Sequence, residues 1–270
     1  MSITIGFIGY GNMGQAIAEG VVKAGLAQAS DVFVTDVDPK KRKLAQMKMG
    51  FVSTHSPKQI AADVDVLIIA VKPYQYEEVI SGLRNEVCEN TIVVSIAAGL
   101  TVVALEHYFD KPVKLVRTMP NTPAMVGAGM TAIIPGSNMT VTDTELIQKI
   151  FSSFGKTEIV DEALIDAVIV TSGSSPAYVY MMIEAMIEGG MAAGMSRDMA
   201  TRFTSQAVYG AAKMVMETGE MPNDLRDAVC SPGGTTIEAV NYLRNNQIDE
   251  IIKNAMKACA KRSREMSITI

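Results

Sequence analysis

The chain has 270 residues, 48% hydrophobic and 20% charged, enough for two domains with cores of their own. Its 24 Lys and Arg stand against 29 Asp and Glu, a net charge of −5 with no long basic run, which argues against nucleic acid as a partner. Three scattered cysteines, Cys88, Cys230 and Cys259, suit neither a disulfide framework nor a zinc site; with a strand-like start and no apolar run long enough for a bilayer, they predict a cytoplasmic protein with no metal and no membrane partner.

The first predicted element is a strand over Ile3 to Ile8, followed by Gly9-Tyr10-Gly11-Asn12-Met13-Gly14 and a helical pattern from Gln15 to Lys23. A G-x-G-x-x-G between strand and helix is a dinucleotide fingerprint. Gly9 permits the tight turn, Gly11 lets the backbone approach a pyrophosphate, and Gly14 lets the helix pack on the strand. The second strand, Val32 to Thr35, ends at Asp36, where an acid commonly binds the adenosine ribose and selects NAD. Lys40, Lys41 and Arg42 follow, either to meet a 2′-phosphate or to cover a solvated helix face.

Further strands are expected at Val64 to Val71, Thr91 to Ile96, Lys114 to Thr118 and Met130 to Ile134, then a helix from about Asp143 to Phe154. In a doubly wound sheet the ligand lies beyond the carboxyl ends of the strands. Those ends carry Ala70-Val71-Lys72-Pro73, Ala97-Ala98-Gly99 and Asn121. Lys72 is a candidate cofactor contact, Ala98 and Gly99 allow close approach, and Asn121 serves either the nicotinamide or its own loop.

From about Glu162 the strand signal stops, and helices are expected over 162–194, 197–217, 223–229 and 235–264. Domains are therefore assigned as 1–161, a dinucleotide-binding domain, and 162–270, an all-α domain. The first helical stretch is interrupted by Ser172-Gly-Ser-Ser-Pro-Ala-Tyr178. The helix carrying Met181, Met182, Met186, Met191 and Met195 is apolar nearly all round and must be buried, either against a second copy of the chain, as the small helical core favours, or within the monomer. Near the end, Ser231-Pro-Gly-Gly-Thr-Thr-Ile-Glu238 is a loop of small residues entering a helix, with Thr235 or Thr236 as N-cap. Free N–H groups at such a start, with hydroxyls around them, make either a pocket for a small carboxylate or an ordinary capped loop. Met266 to Ile270 repeats the first five residues and has no structural explanation.

Some groups are missing. His55 and His107 are the only histidines and lie away from strand ends, and no lysine occurs between Lys156 and Lys213. An alcohol dehydrogenase needs a group to move the hydroxyl proton. A cyclic imine needs none, because as an iminium it arrives protonated and has only to be positioned.

Together these motifs resemble those of the pyrroline-5-carboxylate reductases, through Phe7 to Gly14, Ala70 to Pro73, Ser95 to Gly99, Met119 to Pro123, Ser172 to Tyr178 and Cys230 to Glu238. The resemblance implies a Rossmann-like domain followed by a helical dimerisation domain, and NADPH- or NADH-dependent reduction of L-1-pyrroline-5-carboxylate to L-proline. It implies that Ser231, Gly233, Gly234 and Thr235 hold the carboxylate, while Thr236 bonds the ring nitrogen and assists protonation. It maps cofactor contacts onto Ile8, Gly9, Tyr10, Gly11, Asn12, Met13 and Gly14, the end of the second strand at Asp36, Ala70, Val71, Lys72, Pro73, Ala97, Ala98 and Gly99. It implies a homodimer, and a decamer of five dimers as a larger assembly. Asp36 and Asp38 depart from the usual NADPH pattern, because two carboxylates there would repel a 2′-phosphate and favour NADH. The alternatives are a hydroxyacid dehydrogenase of similar plan and a non-catalytic dinucleotide sensor.

Overall fold

A computed structural model describes residues 3–54 and 56–267; His55 and the last three residues of the terminal repeat lie outside these. Among the described residues one sheet has eight strands: β1 (Ile5–Ile8), β2 (Val32–Thr35), β3 (Val52–Ser53), β4 (Val66–Ile69), β5 (Ile92–Ser95), β6 (Lys114–Met119), β7 (Gly129–Pro135) and β8 (Gly155–Ile159). Their order is β3-β2-β1-β4-β5-β6-β7-β8. All neighbours are parallel except β6 and β7. That exception follows from a short connection: parallel strands need a long crossover, and the turn through Thr122–Val126 cannot supply one. The order of strand addition reverses between β1 and β4, which are themselves parallel, and this switch point is where such folds bind their ligands.

The central strands β1, β4 and β5 are buried throughout, as a parallel sheet covered on both faces requires. One face packs Phe7, Val34 and Ile68 against Ile17 and Val21 of α1 (Asn12–Lys23), Ala45 of α2 (Pro39–Met49) and residues 147–154. The other packs Ile8, Leu67 and Leu115 against α3 (Pro57–Asp63), α4 (Tyr76–Leu83) and α5 (Val102–Phe109). Side-chain caps fix several starts: Asp38 for α2, Ser56 for α3, Thr101 for α5, and Thr140 with Asp143 in a reciprocal capping box for α6 (Val141–Ser152).

The helical part holds α7 (Ile165–Val168), a π-helical turn at Ile169–Gly173, α8 (Ser175–Ala192), α9 (Arg197–Thr218), α10 (Pro222–Ala228), α11 (Thr235–Asn245) and α12 (Ile248–Met266). Two local expectations are corrected. The single helix over 235–264 is broken, because Gln247 takes a left-handed conformation at φ 57. The N-cap of α11 is Gly234, with no side-chain cap, and Thr235 lies inside the helix.

Contacts form two compact units, one of residues up to Ser174 together with those from Ala260 on, the other of Ser175–Cys259. This contact boundary and the compositional one at 161/162 are different quantities. Residues 162–174 are strand-poor yet bonded to the sheet. Buried Arg117 of β6 donates to Glu162 Oε1 at 2.7 Å, and the same oxygen accepts from Val102 N at 2.8 Å. Asp166 accepts from Ser263 Oγ at 2.6 Å and pairs with Arg264 at 3.7 Å, which ties the end of α12 to the same unit.

In the second unit, Met181 (74% exposed), Met216 (72%) and Phe203 (64%) are among many apolar side chains left uncovered, while Ile187, Ala200 and Thr204 are buried. A single copy thus leaves much of its apolar surface in water. Among the described residues no helix is long and apolar enough to cross a membrane, and no three His, Cys, Asp or Glu gather to hold a metal.

Tyr76 joins the carboxyl ends of β4 and β5. Its buried hydroxyl donates to Ile69 O and accepts from Ile96 N at 3.2 Å. Tyr76→Phe leaves both backbone groups without this partner, and urea unfolding is expected to show a loss of about 1–3 kcal/mol. A loss under about 0.5 kcal/mol would mean that the hydroxyl does not fasten these two strands.

Candidate active site

Gly9 leaves β1 at φ 99, and a Cβ there would lie 2.6 Å from Ala70 O and 3.2 Å from Val71 Cγ1. Only glycine satisfies both the dihedral and the contact. Its N–H donates to Thr35 O at 2.8 Å, so the turn is fastened to β2 as well as pressed against β4. A Cβ on Gly14 would stand 2.8 Å from Gly9 O, which explains the close seating of α1. Gly11 differs: a Cβ there meets nothing within 4 Å. Its glycine serves no internal packing and leaves open space beside the backbone, as approach by a pyrophosphate requires.

Gly11 is also the N-cap of α1 and brings no side-chain cap. The N–H groups of the first turn lack intrahelical partners, and the helix dipole adds positive potential there. Gly11, Met13 and exposed Asn12 thus have the donors that an anion site needs. The main chain of Tyr10 is bonded to Asp36 and Gln15. Its ring is buried edge-on to Phe51 and its hydroxyl has no partner. Burial, aided by the Glu19 charge, pushes that phenol up to about 12, so it stays protonated and is no acid for chemistry near neutrality.

The other cofactor candidates sit at neighbouring strand ends. Ile8 is buried at the end of β1, Ala70 and Val71 follow β4, and Lys72 is exposed before Pro73 opens a 3₁₀ turn. Ala97, Ala98 and Gly99 leave the adjacent β5, and Gly99, at φ 83, packs against Met266 O. Asn121 is occupied structurally: Nδ2 donates to Ser172 O at 3.2 Å and Oγ at 3.3 Å, and Oδ1 accepts from Met130 N at 2.9 Å. It holds its own loop and the π-helical turn. Asp36 is likewise engaged, accepting from Tyr10 N and Asp38 N. Tyr76, the tie between β4 and β5, is a positioning group that sequence reading missed. An aromatic opening a helix carries no mark that separates it from ordinary core.

In the second unit, Ser231 to Gly234 form a turn closed by Gly234 N donating to Ser231 O at 3.0 Å, with Gly233 at φ 70. A Cβ on Gly234 would lie 2.5 Å from Ser231 Oγ, so glycine alone lets the serine hydroxyl lean over the start of α11. That start has no side-chain cap, and Ser231, Gly233, Thr235 and Thr236 are exposed. The unpartnered N–H groups of its first turn, with the hydroxyls of Ser231, Thr235 and Thr236, fit a carboxylate.

The family of pyrroline-5-carboxylate reductase dimerisation domains matches residues 162–266, and that of coenzyme F420-dependent NADP oxidoreductases matches residues 4–99. The chain is 42% identical to pyrroline-5-carboxylate reductase of Escherichia coli over 267 residues, 99% of each chain. It is 39% identical to that of Methanosarcina acetivorans, covering 97% of each. The chain belongs to the pyrroline-5-carboxylate reductase family. The solved reductase from Coxiella burnetii superposes over 100% of both chains with a TM-score of 0.93 at 33% identity. That from Plasmodium falciparum, with NADP bound, covers 98% of each with a TM-score of 0.89 at 29% identity. With the dimerisation match over 162–266, the uncovered apolar helices are those of a homo-oligomer.

The open space at Gly11 separates binding from folding. Gly11→Ala is expected to keep the melting temperature within about 3 °C of the parent and to weaken nicotinamide dinucleotide binding at least tenfold by calorimetry. Undiminished affinity would place the pyrophosphate elsewhere.

Proposed function

We propose that this protein reduces L-1-pyrroline-5-carboxylate to L-proline with NADPH or NADH. The observation that carries this is the start of α11 at Gly234: an uncapped helix with Ser231 Oγ over it, in a chain of this family. Ser231, the N–H groups from Gly233 to Thr235, and the Thr235 hydroxyl hold the carboxylate. Thr236, in the first turn of the same helix, donates to or accepts from the ring nitrogen and keeps its proton in place.

The cofactor residues fit a dinucleotide, because the fingerprint turn offers donors, positive potential and room at Gly11. Bound there, the nicotinamide supplies the hydride. The chain's own groups then bind and orient, since the protonated imine needs no further acid and the product is a secondary amine. Val71, Lys72, Pro73 and Ala97 to Gly99 line the same sheet end and complete the cofactor surface. The absence of a histidine or lysine acid among 157–212 disfavours a hydroxyacid dehydrogenase. We place the enzyme in the cytoplasm, where its Cys88 and Cys230 thiols stay reduced, as a dimer that closes into a ring of five.

Nicotinamide oxidation with pyrroline-5-carboxylate tests the reaction. A Ser231→Ala, Thr236→Ala double variant is expected to lose at least 100-fold in kcat/KM, about 3 kcal/mol or more of transition-state stabilisation, while binding the dinucleotide as before. Full turnover in that variant would remove the carboxylate role from this loop; no turnover in the parent, with dinucleotide still bound, would return the protein to the sensor class.

A further inference from the structure

An acid ending the second strand of a dinucleotide fold is ordinarily read as the acceptor of the ribose hydroxyls. Asp36 is bonded otherwise. Its Oδ2 accepts from Tyr10 N at 2.8 Å and lies 3.4 Å from Lys41 Nζ, and its Oδ1 accepts from Asp38 N at 2.9 Å. A carboxylate offers about four acceptor positions, so the existing bonds leave too few for a two-handed grip on a ribose. The side chain is only 6% exposed. The donor it holds is informative, because Tyr10 N–H lies within the fingerprint turn, between the strained Gly9 and the open Gly11. On the other side of that turn Gln15 Nε2 donates to Tyr10 O at 3.2 Å, so the peptide groups at Tyr10 are held from both ends.

We propose that Asp36 is a positioning residue for the pyrophosphate-binding turn, and not a selector of the ribose. Resting on the dinucleotide reading above, this makes Asp36 act equally on phosphorylated and unphosphorylated cofactors. The carboxylate fixes the Tyr10 peptide and so aims the N–H groups that follow. The surroundings also oppose the repulsion of a 2′-phosphate. Residues 36–43 carry Lys40, Lys41, Arg42 and Lys43 against Asp36 and Asp38, and Asp38 is used in capping α2. Lys41 pairs with the Asp36 carboxylate, and Arg42 donates to the main-chain carbonyl of Asp36, so two cations stand beside the end of β2.

Removing one hydroxyl from the ligand separates the two roles. Calorimetric titrations of ADP and 2′-deoxy-ADP are made into the intact oligomer and into Asp36→Ala and Asp36→Asn. Both variants are expected to bind both nucleotides more weakly, Asp36→Ala by about tenfold and Asp36→Asn by less, with the ADP to 2′-deoxy-ADP ratio within twofold of the parent's. A ribose acceptor gives the opposite pattern: a ratio well above one in the parent that collapses to one in either variant, and this overturns the proposal. Undiminished ADP affinity in both variants overturns it too. Should Asp36→Ala fail to fold, Asp36→Asn with the same ratio decides. A parent that binds neither nucleotide removes the dinucleotide reading itself, and the proposal with it.

Discussion

The contact between Gly9 and Ala70 is the constraint on which the cofactor site depends. β1 and β4 are neighbours at the reversal of the sheet, and the chain must leave β1 without hitting the end of β4. It does so at φ 99, with room for a hydrogen and nothing larger. The direction of α1 follows, because Gly14 seats the helix against the same turn and Gln15 N closes on Gly11 O at 2.9 Å. The donors of the first turn are thereby aimed past the strand ends. Electrostatic attraction at a helix start is modest at an exposed site. Several fixed N–H groups in one turn add to it without the entropy of ordering a flexible side chain.

Both expected anion sites are built alike from different sequences. In the first unit a glycine N-caps α1 after a strand; in the second a glycine N-caps α11 after a tight turn. The starts of α2, α3, α5 and α6 are instead satisfied internally by Asp38, Ser56, Thr101 and Thr140, while α4, α7 and α10 also begin without a side-chain cap but without a glycine at the cap. An internal cap occupies the donors that a ligand would use. Thr235 and Thr236 stand inside α11, exposed and not used as its cap.

Much of the fold was legible in the residues. Strands buried on both faces tend to be continuous apolar runs, so β4 and β5 stood out, β1, β2, β6 and β7 were legible from shorter apolar stretches, and Gly9 and Gly14 sat where their contacts demand glycine. What was hidden is what depends on a partner far along the chain. β8 runs Gly-Lys-Thr-Glu-Ile at an exposed edge with no alternation to mark it, and pairs with β7 because Gly155 lets the backbones close at Gly129. The break at Gln247 was invisible, since glutamine is a good helix former and nothing local calls for a left-handed residue. The site shows the same division. Residue types named the loops, but the partners of Asp36, Asn121 and Tyr76 are set by neighbouring segments, and only coordinates reveal them.

The lack of any histidine or lysine among residues 157–212, puzzling for a catalyst, becomes intelligible from the substrate's chemistry. A protonated imine carries its own proton and its own electrophilic carbon. The demand on the protein is then geometric: hold a carboxylate by fixed donors and keep water and flexibility out of the approach. Backbone N–H groups at helix starts suit that demand better than long charged side chains, because their positions are set by the helix itself. The cost falls on folding, since glycine turns are flexible before they are packed. In the first unit, packing against β4 and the Asp36 carboxylate restrain the turn. In the second unit the Ser231 to Gly234 turn has one internal hydrogen bond, and its helices expose apolar faces that a single copy leaves uncovered. Oligomerisation buries such faces, so assembly and the rigidity of the helical unit are linked by the same hydrophobic free energy.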